Sequence, residues 1–206
     1  LSVSSAASDV YKRQILYAQN KDEQYTYIES AKEKGYEVLL LDSPIIPHLM
    51  QKLESKKEKI KFSRVDSDTL ENLIKKDEEV ISKLTDEEKE KLKPMIETAV
   101  ENEKYTVQLE ALDSNSMPFM LAQPEFMRRM KEMQQTGGGA MGNLPDMYSL
   151  IVNTNHELVG KILNTRTEKK RNSLIKQSID LAKLSQNNLT GKDLTEFINR
   201  SIDLIK

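Results

Sequence analysis

The chain has 206 residues, 37% hydrophobic and 31% charged, enough for one domain or two and polar enough to predict a soluble protein. Its 31 basic and 33 acidic residues leave a formal charge of -2, which gives no electrostatic reason to expect nucleic acid or an anionic membrane as the main partner. With no cysteine, disulfides, thiol catalysis and thiolate metal sites are excluded, and His48 and His156 are too few for a histidine-rich metal centre, so no metal site is expected.

No apolar run approaches the roughly 18 residues of a membrane-spanning helix, and no signal-peptide core is present, which points to the cytoplasm. Residues 1–14 stand apart. Ser4 to Gln14 reads as the translation of a transposase adapter used in sequencing libraries, so this segment is expected to be foreign and the native chain to enter at Ile15, with a larger N-terminal part lost upstream.

From Ile15 the pattern is regular. Ile15-Leu16-Tyr17-Ala18 is a short apolar run, and Asn20 to Glu23 offers a capping-box-like start for a helix that turns Tyr27, Ile28 and Ala31 inward and stops at Gly35. Val38 to Leu41 reads as a buried strand, and Asp42-Ser43-Pro44 as a cap followed by proline at the first helical position. Ile46, Leu49, Met50 and Leu53 form the next apolar face, and Lys61 to Val65 a third strand. This order predicts parallel strands joined by right-handed crossovers. No glycine-rich phosphate loop follows any strand; Asn20, Asp42 and His48 are the residues that a small α/β enzyme would use.

Between Asp66 and Val100 the chain is strongly charged and reads as a helical connector. Leu70, Leu73, Ile74, Val80, Ile81 and Leu84 keep a helical rhythm, and Thr85 to Glu88 forms a capping box opening a helix through Leu92, Met95, Ile96 and Val100. A boundary near Asp66 gives the divisions 15–66 and 67–206. The period then changes: Tyr105, Val107, Leu109 and Ala111 alternate with polar residues, and Asp113 to Ser116 leads into Met117 to Leu121, which together predict a hairpin with Pro118 on an edge strand.

Glu125-Phe126-Met127-Arg128-Arg129-Met130-Lys131-Glu132-Met133 follows. Phe126, Met130 and Met133 recur at i, i+4 and i+7 with Met127 beside them and the charges opposite, so this is a short amphipathic helix ahead of a loop carrying Gly137 to Gly139 and Gly142. Its apolar face is either core or contact surface, because methionine serves both. Tyr148 to Val152 supplies a third strand, and Asn153 to His156 starts a helix through Leu158, Val159 and Ile162, with His156 in a structural or capping role and not an acid-base one.

Two helices close the chain. Leu174, Ile175, Ile179, Leu181 and Ala182 mark one; Leu194, Phe197, Ile198, Ile202 and Ile205 mark the other, started by Thr190 and Asp193 with Leu189 and Leu194 as a hydrophobic staple. Burying about five such side chains represents on the order of 10 kcal/mol of gross stabilisation, to be gained either against a twofold copy in a four-helix bundle or against the chain's own sheet.

Four stretches carry a family resemblance: Lys34 to Leu41, Arg64-Val65-Asp66-Ser67-Asp68, Glu125 to Met130, and Val152-Asn153-Thr154-Asn155-His156-Glu157-Leu158-Val159. In order and spacing, Ile15 to Lys206 resembles the end of the middle domain and the C-terminal domain of bacterial heat shock protein 90 chaperones, the high-temperature protein G type. Glu157 stands where many bacterial members have proline, and the Met-Glu-Glu-Val-Asp tail of eukaryotic cytosolic members is lacking, which argues against partners that read it.

The resemblance implies an α+β chain: a small αβα unit, then a C-terminal domain with a three-stranded antiparallel sheet and a helical dimerisation bundle. It implies an ATP-driven chaperone active in the stress response and protein folding, with ATP and magnesium held upstream and neither a cofactor site nor ATP hydrolysis in this fragment. It implies a homodimer interface through Leu174, Ile175, Ile179, Leu194, Phe197, Ile198 and Ile202. Client contact is implied at Phe126, Met127, Met130 and Met133, with Phe126 as a helix anchor. The other classes to set against it are the small α/β enzyme and a purely structural dimerisation module.

Overall fold

The structure, a computed structural model, describes residues 13–57, 60–73, 80–100, 104–137 and 147–205. It is mixed α and β, and the chain divides into two compact units. The described parts of 1–75 and 124–144 form the first, and those of 76–123 and 145–206 the second.

The first unit is built on a parallel sheet of order β2-β1-β3, from β1 (Arg13–Ala18), β2 (Leu39–Leu40) and β3 (Ile60–Arg64), as the strand-helix-strand order requires. Side chains alternate across β1. Leu16 and Ala18 pack with Ile28 and Ala31 of α1 (Tyr25–Glu33), while Tyr17 faces the opposite way onto Phe62 and Met50 of α2 (Ile46–Lys56). Both faces of the sheet are therefore covered. β1 begins two residues before Ile15: Arg13 and Gln14 extend the ladder opposite Ile60 and Lys61, and the Gln14 amide donates to Ser63 Oγ at 2.8 Å. Residues 1–12 of the adapter-like segment lie outside the described residues.

Three local expectations change. The run Val38 to Leu41 contains a two-residue edge strand whose Leu39 and Leu40 are 46% and 54% exposed, because only β1 flanks it. α1 starts at Tyr25, since Asn20 Oδ1 accepts from the amides of Asp22 and Glu23 and makes a turn first. α2 starts at Ile46 with Pro47 in its first turn, so Asp42, Ser43 and Pro44 precede the cap. Gly35, at φ 82°, ends α1 in the left-handed conformation that favours glycine, and Tyr36 N bonds back to Ala31 O at 3.0 Å.

In the connector, α3 (Leu70–Leu73) is short, and Ile74 lies outside the described residues. Val80 and Ile81 are exposed and non-helical, contrary to the helical rhythm assigned to them. α4 (Asp86–Glu97) opens with the expected capping box: Thr85 and Glu88 each accept from the other's backbone amide.

The second unit has a mixed sheet of order β4-β6-β5, from β4 (Tyr105–Glu110), β5 (Phe119–Ala122) and β6 (Tyr148–Asn153). β5 runs antiparallel to β6, but β4 runs parallel to it, and β4 and β5 are not paired. The expected antiparallel sheet and hairpin are thus corrected: the turn at Asp113 to Ser116 exists, but β6 lies between the two strands. Leu150, Ile151 and Val152 are all buried, as in a central strand, and Pro118 precedes edge strand β5 as expected.

The turn after β6 is a brace. Asn153 accepts from Leu112 N at 3.2 Å and donates to Asp113 O at 2.8 Å; Asn155 donates to Ile81 O and Leu112 O, each at 3.0 Å, and accepts from Lys83 N at 2.7 Å. His156 Nδ1 accepts from Leu158 N at 3.0 Å and caps α6 (Glu157–Asn164), the capping role read from the sequence. α7 (Glu168–Ser185) and α8 (Gly191–Ile205) follow. Ile175, Ile179 and Ala182 of α7 pack with Phe119, Leu121, Leu150 and Val152 of the sheet. Among the described residues, no helix is long and apolar enough to cross a membrane.

Candidate functional site

The methionine helix is α5 (Glu125–Gly137), and it packs within the first unit, not with the second as the boundary at Asp66 had placed it. Its attachment is polar. Arg128 is 3% exposed, whereas Phe126 is 70% exposed. The charged face is the docked face, and Phe126, expected as a helix anchor, stands in solvent and does not anchor it.

Each partner is placed by the sheet beneath. Alternation along β1 turns Tyr17 toward α2 and buries its ring completely, and its hydroxyl donates to Glu125 Oε1 at 2.8 Å. Arg128 lies 5.6 Å above the same ring and donates both to the Tyr17 hydroxyl and, at 2.6 Å, to Glu125 Oε1. Arg129 donates to Glu125 Oε1 at 2.7 Å, to the two oxygens of Glu54 at 2.7 and 3.2 Å, and to Phe62 O at 2.8 Å. Glu54 accepts from Phe62 N at 2.7 Å, and Arg64 N donates to Glu125 Oε2 at 3.3 Å. A single arginine fork thus ties α5 to α2 and β3.

The electrostatics follow from this geometry. Burial alone would raise the Glu125 pKa, but the charge of Arg128 and hydrogen bonds from Arg129 and Tyr17 outweigh it and hold the carboxyl below its ordinary range. Burial, reinforced by the Glu125 charge, pushes the Tyr17 phenol well above the usual tyrosine range. Burial opposes the Arg129 charge, but hydrogen bonds to Glu54 and Glu125 prevail and raise its pKa. Glu125 and Arg129 are therefore held charged at neutral pH and the Tyr17 phenol neutral, so none of these three groups is poised to exchange a proton there.

The sequence-assigned client residues divide. Phe126 stands in solvent and Met127 and Met130 are half-buried; the Met133 side chain and the glycine loop beyond Gly137 lie outside the described residues. Tyr17, Glu54, Glu125, Arg128 and Arg129 were not singled out from the sequence. The available signal was the Glu125, Arg128 and Arg129 spacing of i, i+3 and i+4, which forms intrahelical ion pairs, although their buried partners come from distant sequence.

The dimer-interface assignment also divides. Ile175 and Ile179 are buried in the second unit's own core, Leu174 packs against that core, and Phe197 is buried. Leu194 is half-buried, while Ile198 and Ile202 are 47% and 48% exposed. Ile205 is exposed as well, which completes an i, i+4, i+7 stripe on α8 that the intrachain core does not use. Within the same unit α7 and α8 are joined by ion pairs from Asp180 to Arg200 and from Lys176 to Glu196, and by Gln177 donating to Ser201 at 2.9 Å.

Asn20, Asp42 and His48 are exposed, and the Asn20 carboxamide is occupied by its own turn. Among the described residues, no group of three histidine, aspartate or glutamate side chains converges as a metal site would require.

No family model matches the chain. It is 40% identical over 174 residues to the chaperone protein HtpG of Porphyromonas gingivalis, which covers 82% of this chain and 25% of that protein. It is 34% identical to the HtpG chaperone of Bacteroides thetaiotaomicron and 33% to that of Bacteroides fragilis, in each case over 92% of this chain and 38% of the relative. The chain thus spans a quarter to two fifths of the length of these curated relatives, and it belongs to the HtpG chaperone family.

Proposed function

We propose that the chain is the C-terminal portion of an ATP-dependent chaperone, in which α8 with part of α7 joins two copies and α5 forms part of the surface that holds non-native proteins. The observation that carries this reading is the inverted seating of α5: its charges are docked and Phe126 is left in water. A large aromatic kept exposed on a firmly held helix is costly for a protein with nothing to bind, and useful for one that captures unfolded chains. The exposed Ile198, Ile202 and Ile205 support self-association in the same way. ATP hydrolysis is assigned to parts of the longer protein outside this chain, and the cytoplasm is the compartment this role fits.

The test is fluorescence anisotropy of a labelled, reduced and carboxymethylated α-lactalbumin titrated with the 206-residue chain. The triple variant Phe126→Ser, Met127→Ser, Met130→Ser should lose most of the binding while light scattering still reports a dimer. Unchanged binding with an intact dimer would instead support a purely structural dimerisation module.

A further inference from the structure

We infer that Tyr17, Glu54 and Arg129 are positioning residues for client capture: with Glu125 they fix the polar face of α5 on the first unit and so preset how Phe126, Met127 and Met130 are presented. This inference rests on the client-binding reading above and adds a role for side chains that are themselves largely covered.

A helix docked through an apolar stripe can roll by small steps, because hydrophobic contact is not directional. α5 is held instead by directional, charge-assisted hydrogen bonds. Arg129 spends its fork on three elements at once: both Glu54 oxygens on α2, the Phe62 carbonyl on β3 and Glu125 on its own helix. Tyr17 fixes Glu125 from β1. Rolling α5 in either direction breaks several of these bonds in a poorly solvated setting, where each is hard to replace with water. The apolar side is therefore preorganised, and a bound client need not meet the entropic cost of ordering it.

The experiment uses the full 206-residue chain with Glu54→Gln and Arg129→Met. Glu54→Gln keeps the side-chain volume and an oxygen acceptor for Phe62 N, so it loosens the clasp without opening the sheet. Two quantities are read: hydrogen exchange of the α5 amides by mass spectrometry, and the affinity for the labelled α-lactalbumin, with Phe126→Ser as reference. The expected result is faster α5 exchange together with binding weakened by about fivefold. Faster exchange with unchanged or tighter binding would overturn the inference, as would unchanged exchange in both variants. If Phe126→Ser weakens binding and the clasp variants do not, only the positioning role fails; if Phe126→Ser has no effect, the client-binding reading fails with it.

Discussion

The hydroxyl of Tyr17 donates to the carboxylate of Glu125 at 2.8 Å, across 108 positions of sequence. The same hydroxyl accepts from Arg128, so one phenolic group serves both as donor and as acceptor between β1 and α5. Tyr17→Phe keeps the ring between Met50 and Phe62 but leaves Arg128 and Glu125 each short of a partner. It should cost about 1–3 kcal/mol, read as a lower urea midpoint at unchanged slope.

The clasp also sets an acid limit. Glu125 has a lower pKa in the folded chain than in the unfolded one. Its contribution is complete above the ordinary carboxylate range and is lost as pH falls through the depressed folded value, because the unfolded state takes up the proton first. Urea midpoints measured from about pH 7 down to pH 3 should fall more steeply for the wild type than for Glu125→Gln, which should start lower at neutral pH.

In the second unit, Asn155 satisfies three backbone groups, on Ile81, Lys83 and Leu112, from a buried position. Asn155→Ala strands all three and should destabilise by about 2–4 kcal/mol. Thermal unfolding of the variant beside the wild type checks this, and far-UV circular dichroism should show the fold retained at low temperature.

The α7 and α8 residues separate by function. Ile179→Ala removes a side chain packed in the core beneath the sheet and should cost about 2–4 kcal/mol of folding stability. Ile198→Asp with Ile202→Asp alters exposed positions and should leave the urea midpoint of the monomer little changed while abolishing the dimer seen by light scattering at micromolar concentration. A persistent dimer in the double variant would remove α8 from the interface.

The parallel sheet of the first unit was legible because strands and helices alternate with apolar periods that physics allows in few arrangements, and the caps at Thr85 and His156 because capping is local. The antiparallel hairpin was misread because alternation from Tyr105 to Ala111 reports the two faces of a strand, not its neighbours. The uninterrupted apolar run Leu150-Ile151-Val152 was the better sign that β6 is central. The seating of α5 was hidden for a different reason. Amphipathicity says which face of a helix is apolar, but a protein with a half-buried counter-charge at Glu54 and a buried phenol at Tyr17 can dock the charged face instead, and those partners lie far away in sequence. Similarly, the apolar stripe on α7 was real but was largely consumed by the chain's own sheet.

Client capture by α5 is tested by hydrogen exchange of the 206-residue chain with and without excess carboxymethylated α-lactalbumin. The unfolded probe should slow exchange within α5, in peptides covering Glu125–Gly137, and the Phe126→Ser, Met127→Ser, Met130→Ser variant should lose this protection. Protection confined to other elements, with α5 exchanging at its free rate while the probe is bound, would contradict it.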